Sequence, residues 1–377
     1  MPIKPHKLGI IGVGRVGDAV LSDAMMSGLF GEICVIDVNE KLAAGQALDQ
    51  HHATALPNVT NVAVYAGDYD DLSNADVIIM TAGPSIDASN GPATGAARRE
   101  LAATNGKIIR STMTQITSRN HDAAIIICSN PLDALVHIAS TEFDHPQGLV
   151  LGTGTILDSA RMCRVVADHL GVDPDYVRGY MIGEHGPSGF PMFTGVNVGG
   201  VGFDGLAKLF DADPMDRDEL TTRINDAGTA VFNLKGWTSA GIGQSAITIA
   251  RSILLNEHAV YPVCTTLHGQ YGHDGDVSMG VPCVIGATGV ERILEVPLDD
   301  WEQEHLASTI KPSKRPSRRL PERASTKLVG LSYGTPLVAR YPYPRIRIGE
   351  PNPPAGSSPC WGRVQSLLPD GCAAAPL

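Results

Sequence analysis

Gly183-Glu184-His185-Gly186 sets one histidine between glycines. An imidazole can take and return a proton near neutral pH, which is what general acid–base catalysis requires. A histidine flanked by glycines is also a plain turn residue, so its case rests on its partners. Leu157-Asp158-Ser159-Ala160-Arg161 offers two. Asp158 and Arg161 are three residues apart, which places both on one face of a helix. Asp158 can hold His185 in a single tautomer and stabilise its charged form. Arg161 can grip a carboxylate through two parallel hydrogen bonds, which a lysine cannot do. On spacing alone, a surface or interdomain salt bridge explains Arg161 as well.

Two further polar residues follow strands. Arg98, in Ala97-Arg98-Arg99-Glu100-Leu101, comes after a Gly/Pro/Ser-rich stretch, Pro84–Ala97. Such a stretch is a candidate lid, and an arginine on it reaches its target only when the site closes and water leaves. The alternative is one member of a solvated charge run. Asn130, in Ser129-Asn130-Pro131, ends a strand at the carboxyl edge of the sheet, where ligands bind in folds of this kind. It can hydrogen-bond there, although a turn or helix-capping asparagine is the commoner meaning of such a pattern.

Gly12-Val13-Gly14-Arg15-Val16-Gly17 follows the first apolar run and opens a helical one. Its glycines permit a tight turn, close approach of backbone to a pyrophosphate, and tight helix–strand packing. The helix N-terminus adds unpaired N–H groups and a positive dipole end. Asp37 comes twenty residues after Gly17. An acid there takes the ribose hydroxyls of NAD and repels the 2′-phosphate of NADP. A packing cluster of glycines with a surface aspartate is the bland alternative. The strand–turn–helix–strand context favours the dinucleotide.

The elements that must position these residues are legible as periodicity. Lys7–Ile11, Ile33–Asp37, Val62–Tyr65, Asp76–Met80, Ala124–Cys128 and Leu149–Leu151 read as strands separated by helices. The runs are continuously apolar, as expected when helices cover both faces of a parallel sheet. The fold class is α/β: a Rossmann-type doubly wound parallel sheet over 1–150, followed by an α+β substrate domain over 151–310. In the second part, helices are expected near 155–170, 215–235 and 241–256, and strands near 176–182, 259–267 and 278–286. Leu298–Ile310 reads as a last amphipathic helix with acids in its first turn.

Composition shifts after 310. Residues 311–377 hold 11 of the 29 Lys+Arg, 3 of the 40 Asp+Glu and 12 of the 26 prolines, so this tail carries +8 and the rest −19. Proline at that density blocks regular packing, and a disordered appendage is expected. Dispersed arginines argue against a basic tail for nucleic acid or membrane. A frame-shifted terminus replacing the helix that Pro312 stops is the remaining reading. The net charge of −11 opposes nucleic-acid binding, which needs a basic face. No apolar run is long enough to span a bilayer, and no leader is evident. The seven cysteines have no paired spacing, which fits reduced thiols in the cytoplasm and neither disulfides nor a metal site.

Taken together, the residues resemble the L-lactate/malate dehydrogenase family, nearest to its L-2-hydroxyisocaproate and L-lactate dehydrogenase branch. The resemblance is carried by GVGRVG, Asp37 in VIDVNE, Thr81-Ala82-Gly83, SNP at 129–131, GTGTILDSARM at 152–162, GEHG at 183–186 and KGWTSAGIG at 235–243. These occur in family order over roughly 7–310, and the ordered set is far more specific than any one motif. It implies an NAD-dependent oxidoreductase interconverting an L-2-hydroxy acid and its 2-oxo acid. His185 would be the proton donor and acceptor, Asp158 its partner, and Arg161 the carboxylate anchor. Arg98 would be the loop arginine that polarises the carbonyl, with Arg99 as the runner-up in register. Asn130 would contact substrate and nicotinamide, and Thr238 would line the substrate pocket. Gly12, Gly14, Arg15, Val16, Gly17, Asp37, Thr81, Ala82 and Gly83 would hold the cofactor. A homotetramer or dimer is the family expectation.

The sequence also departs from the family. The Gly83–Arg98 loop is long, and it has no arginine before Arg98 to pair with a second carboxylate, so a malate enzyme is not expected. Its small residues (Ala88, Ser89, Gly91, Ala93, Gly95) leave room for a bulkier apolar substrate. Cys163 stands where sugar-bisphosphate-activated lactate dehydrogenases carry an arginine. Two alternatives remain: a lactate dehydrogenase proper, and a non-catalytic dinucleotide-binding sensor on the same fold. A sensor needs none of His185, Asp158, Arg161 and Arg98.

Overall fold

The computed structural model describes residues 6–85 and 95–310. The side chains of 86–98, and with them the lid reading and the Arg98 side chain, lie outside the described residues, as does the tail from 311. The first half of the chain alternates strand and helix. Its elements are β1 (His6–Ile11), α1 (Arg15–Ser27), β2 (Phe30–Ile36), α2 (Glu40–Ala53), β3 (Ala63–Ala66), β4 (Val77–Met80), α3 (Gly95–Thr117), β5 (Ala124–Ile127), α4 (Leu132–Thr141) and β6 (Val150–Gly152). These strands run parallel in the order β6-β5-β4-β1-β2-β3. The order reverses between β1 and β4. Helices leave these two strands toward opposite faces, so a crevice opens at their carboxyl ends.

The uninterrupted apolar runs have their explanation in the two faces of this sheet. Ile10, Val35, Ile79 and Ile126 pack on one side with Val20, Leu21 and Met25 of α1. Ile11, Ile36, Ile78 and Ile125 pack on the other with Ile109 and Met113 of α3 and Leu135 and Val136 of α4. In β4, β5 and β6 every position is buried, so no polar alternation survives there.

The second half contains α5 (Ile156–Leu170), β7 (Val177–Arg178), β8 (Met181–Ile182), β9 (Phe190–Pro191), β10 (Asn197–Val198), β11 (Val201–Gly202), α6 (Phe203–Phe210), α7 (Arg217–Lys235), α8 (Ala240–Leu254), β12 (Ala259–His268), β13 (Asp274–Gly286), β14 (Gly289–Ile293) and α9 (Asp300–Thr309). The long strands β12 to β14 do not form a sheet of their own. They continue the first sheet antiparallel, through the single pair Cys264↔Gly152, to give the order β14-β13-β12-β6-β5-β4-β1-β2-β3 among the described residues. The apolar run at 176–182 divides between two small sheets: β7 pairs with β10, and β8 with β9.

α8 packs against α1, and Gly243 permits the approach. A Cβ on Gly243 would stand 2.6 Å from Asp23 Oδ2 and 3.0 Å from the Ala19 backbone. α9 opens on a reciprocal capping box in which Asp299 Oδ1 accepts the Glu302 N–H and Glu302 Oε2 accepts the Asp299 N–H, both at 2.9 Å. The acids near 299–302 are therefore caps as well as dipole partners. None of the described helices is long and apolar enough to cross a membrane.

Candidate active site

β8 leads into the loop that carries His185, and α5 fixes where β8 lies. Thr155 Oγ1 donates to the Met181 carbonyl at 2.6 Å, and Ser159 Oγ accepts the Met181 N–H at 2.8 Å. Gly183, at φ +94°, pairs both its backbone groups with Gly280 of β13, at 2.9 and 2.8 Å. Thr309 Oγ1, at the end of α9, donates to the Ser188 carbonyl at 2.7 Å. The loop is thus held from α5, β13 and α9.

The side chains meet as their spacing suggests. His185 Nδ1 lies 2.7 Å from Asp158 Oδ2, and Arg161 Nη1 donates to Asp158 Oδ1 at 2.8 Å. An ionised Asp158 can only accept, so the shared proton sits on Nδ1 and Nε2 is left for a ligand. Burial works against a charged His185. The hydrogen bond and charge of Asp158, with the charge of Asp133, outweigh both burial and Arg161, and the pKa ends above the ordinary histidine value. Burial likewise pushes Asp158 up, but His185 and Arg161 together bring it below the ordinary carboxylate value. Arg161 gives Asp158 one of its five N–H donors, which leaves others for a carboxylate.

On the cofactor side, Gly12 has φ +90°, and a Cβ there would stand 2.6 Å from the Ala82 nitrogen. A Cβ on Gly17 would stand 1.9 Å from the Gly12 oxygen, which also accepts Thr81 Oγ1 at 2.5 Å. Gly14 is different, because nothing lies within 4 Å of a Cβ built on it. It opens α1 without a side-chain cap, so the helix N-terminus faces a cradle that a side chain would fill. Asp37 Oδ2 accepts the Val13 N–H and its Oδ1 the Asn39 N–H, both at 2.8 Å. This fixes the carboxylate at the mouth of the crevice. Arg15 stacks over Trp237 at 4.1 Å, and Val16 packs against the core. An open anion-binding cradle beside a fixed acid fits a dinucleotide.

The turns at 81–83 and 129–131 are tied together. Ser129 Oγ donates to the Ala82 carbonyl at 2.7 Å. Asn105 Nδ2 donates to the Pro84 carbonyl at 3.1 Å and the Asn130 carbonyl at 2.6 Å. Asn130 Oδ1 also receives the Leu132 N–H at 3.3 Å, two residues on, which is a turn contact and not a helix cap, since Pro131 is the N-cap of α4 and has no side-chain cap. Thr238 is half-buried between α7 and α8. Sequence reasoning missed the tie-down residues Asn105, Asp133 and Thr309, as well as Gly228, which faces Arg161. A buried asparagine within a helix was the one available signal.

The class that this fold and site define is the NAD-dependent dehydrogenases. Residues 6–152 match the family model for the lactate/malate dehydrogenase NAD binding domain, and 155–315 the model for the alpha/beta C-terminal domain of the same family. The chain is 40% identical over 302 residues to L-lactate dehydrogenase 2 of Clostridium acetobutylicum, covering 80% of this chain and 93% of that protein. It is 37% identical to the L-lactate dehydrogenase of Selenomonas ruminantium, with the same two coverages. Among solved structures, the minor L-lactate dehydrogenase of Enterococcus mundtii in its ligands-bound form aligns with TM-score 0.76 and 32% identity, over 81% of this chain and 95% of that one. The chain belongs to the lactate/malate dehydrogenase family. It is an NAD-dependent oxidoreductase that interconverts an L-2-hydroxy acid and its 2-oxo acid.

Proposed function

We propose that the substrate pair is L-lactate and pyruvate, with His185 exchanging the proton and Arg161 holding the carboxylate. The observation that carries the roles is the bridging position of Asp158, 2.7 Å from His185 and 2.8 Å from Arg161. One carboxylate thereby orients both the proton donor and the anion anchor. The names of the relatives support the choice of lactate.

Bound NADH supplies the reducing equivalent at C2 of the oxo acid. Protonated His185 donates from Nε2 to the substrate oxygen, and Asp158 stabilises the imidazolium beforehand. Such general acid catalysis contributes typically ~10²–10⁴-fold. Arg98, by resemblance, stabilises the developing oxyanion. Asn130 and Thr238 border the substrate. Gly12, Gly14, Arg15, Val16, Gly17, Asp37, Thr81, Ala82 and Gly83 hold the cofactor. We assign residues 1–150 to the cofactor domain and 151–310 to the substrate domain, in a cytoplasmic homo-oligomer. The cysteines at 34, 128, 163, 264 and 283 are free, which fits that compartment.

A larger, 2-hydroxyisocaproate-like substrate is the second reading, favoured by the small residues Ala88, Ser89, Gly91, Ala93 and Gly95 that precede Arg98. NADH oxidation with pyruvate, oxaloacetate, 2-oxoisocaproate and phenylpyruvate at equal concentrations separates the readings. Preference for pyruvate supports the proposal, and preference for a branched or aromatic acid supports the second reading. NADH binding without turnover of any of the four would indicate a sensor.

A further inference from the structure

Trp237 lies one residue beyond Gly236, the C-cap of α7, and one before Thr238. It is half-buried, yet it packs with none of the apolar clusters of the described residues. Its ring carries cations instead. The Arg15 guanidinium stands 4.1 Å from the ring centroid and Lys235 Nζ 5.3 Å from it. Neither cation has an ion pair among the described residues, in a chain of net charge −11. Lys235 is accounted for locally: it ends α7, where the dipole favours a cation, and its Nζ donates to Ser239 Oγ at 3.3 Å. Arg15 is not. It is the first residue of α1, at the positive end of the dipole, where a cation is disfavoured. Asp18, the acid of that first turn, forms no ion pair with it among the described residues. A cation held at the wrong end of a helix, beside a second cation and next to the open Gly14, calls for an anion there.

We propose that Trp237 is a positioning residue of the cofactor site, one whose indole presents Arg15 to the diphosphate of the dinucleotide, with Lys235 as a second, outer cation. This rests on the placement of the cofactor at the glycine loop. A guanidinium stacked on a ring keeps its edge N–H donors free, and these suit two phosphate oxygens at once. An aromatic face serves here better than a carboxylate. A carboxylate would hold Arg15 as firmly, but it would cancel the charge and repel the diphosphate. The ring quadrupole holds the guanidinium and leaves its net charge in place. The ring is itself held, because 236–239 joins α7 to α8 and α8 is packed closely on both sides. A Cβ on Gly241 would stand 2.5 Å from Leu157 Cδ1 of α5, and one on Gly243 2.6 Å from Asp23 Oδ2 of α1.

The test is a calorimetric titration of NADH into the full chain, Trp237→Leu, Arg15→Gln and the double variant. Heat is read in place of fluorescence, since the substitution removes one of the three indoles. Trp237→Leu keeps an apolar side chain and loses the ring. It should weaken NADH binding about fivefold, and Arg15→Gln about tenfold or more. In the double variant the loss should match that of Arg15→Gln alone, because the ring acts through the arginine. Both single variants should also lose less NADH affinity on addition of NaCl than the native chain does. Trp237→Phe, which keeps an aromatic face, should cost only about twofold. Additive losses overturn the proposal, and so does native NADH affinity in Arg15→Gln, because either means that the ring only fills space. If Trp237→Leu does not fold, the cycle is run with Trp237→Phe, and its smaller loss should vanish in the Arg15→Gln background. Coupled losses of NADH affinity in a protein that turns over no 2-oxo acid would support the role of Trp237 and overturn the proposed function instead.

Discussion

Gly228 of α7 lies directly across from Arg161: a Cβ on it would stand 3.0 Å from Nη1 and 3.2 Å from Cζ of the guanidinium. Arg161 is also held by Asp158, so it cannot yield without disturbing the pair that orients His185. Gly228→Ala should displace the guanidinium by a few tenths of an ångström. Small misplacements of positioning groups are expensive, up to ~10²-fold for about 1 Å. The expected outcome is a rise of about tenfold in KM for pyruvate, a smaller fall in kcat, and unchanged NADH affinity. Steady-state kinetics and a fluorescence titration with NADH check it.

The two glycines of the cofactor loop should behave oppositely. Gly14 is open to a Cβ and sits at φ −69°, so Gly14→Ala costs the fold at most about 1 kcal/mol as a poorer N-cap. It should nevertheless weaken NADH binding about tenfold or more, because the new methyl group occupies the cradle at the helix N-terminus. Gly17→Ala forces a methyl group onto the Gly12 carbonyl, a backbone atom that cannot swing away. Overpacking of this kind costs about 1–3 kcal/mol, and the melting temperature should fall by several degrees. Melting curves and NADH titrations on both variants separate the two roles.

Thr309 should act on the site through the loop that carries His185. Its hydroxyl holds the Ser188 carbonyl, three residues beyond His185, and its methyl would be 3.1 Å from a Cβ on Gly183. Thr309→Val keeps the shape and loses the donor, leaving a half-buried carbonyl unpaired at a cost of about 1–3 kcal/mol. The expected result is a several-fold lower kcat with unchanged NADH affinity, seen in parallel kinetic and binding assays.

These predictions mark where sequence was sufficient and where it was not. The first six strands were readable because each is a short apolar run, and the central ones are buried on both faces, as with Ile125, Ile126 and Ile127 of β5. Asp158 and Arg161 were readable because three residues is a helical spacing, and the glycine loop because it follows a strand. The join of β12 to β6 was not readable. It rests on Cys264 meeting Gly152, residues far apart in sequence and each inside an ordinary apolar run. The contacts of Asp133, Asn105 and Thr309 were hidden for the same reason. Their partners at His185, Asn130 and Ser188 are brought close only by the finished fold. The 176–182 run looked like one strand because periodicity cannot tell that Val177 and Ile182 serve different sheets.

The His185–Asp158 pair sets the pH dependence of both activity and stability. His185 has a raised pKa, so reduction of the oxo acid, which needs the protonated ring, should lose kcat/KM only above the ordinary histidine value of 6.5. Oxidation of the hydroxy acid, which needs the neutral ring, should lose it on the acid side of the same midpoint. Asp158→Asn removes the main opposing charge. The midpoint should then move acidward and kcat/KM should fall ~10²–10⁴-fold. Stability follows from the same shifts. A raised histidine pKa stabilises the folded state fully below the unfolded value of 6.5, and the gain is lost as pH rises through the folded midpoint. Asp158 is depressed, so its contribution is present above 3.8 and disappears as pH falls through its lower folded value. The melting-temperature advantage of the native protein over His185→Gln should therefore be greatest between about pH 4 and 6.5 and shrink on either side. A difference that grows from pH 6.5 to 9 would mean that His185 is neutral in the folded protein, and that Asp158 does not hold it charged.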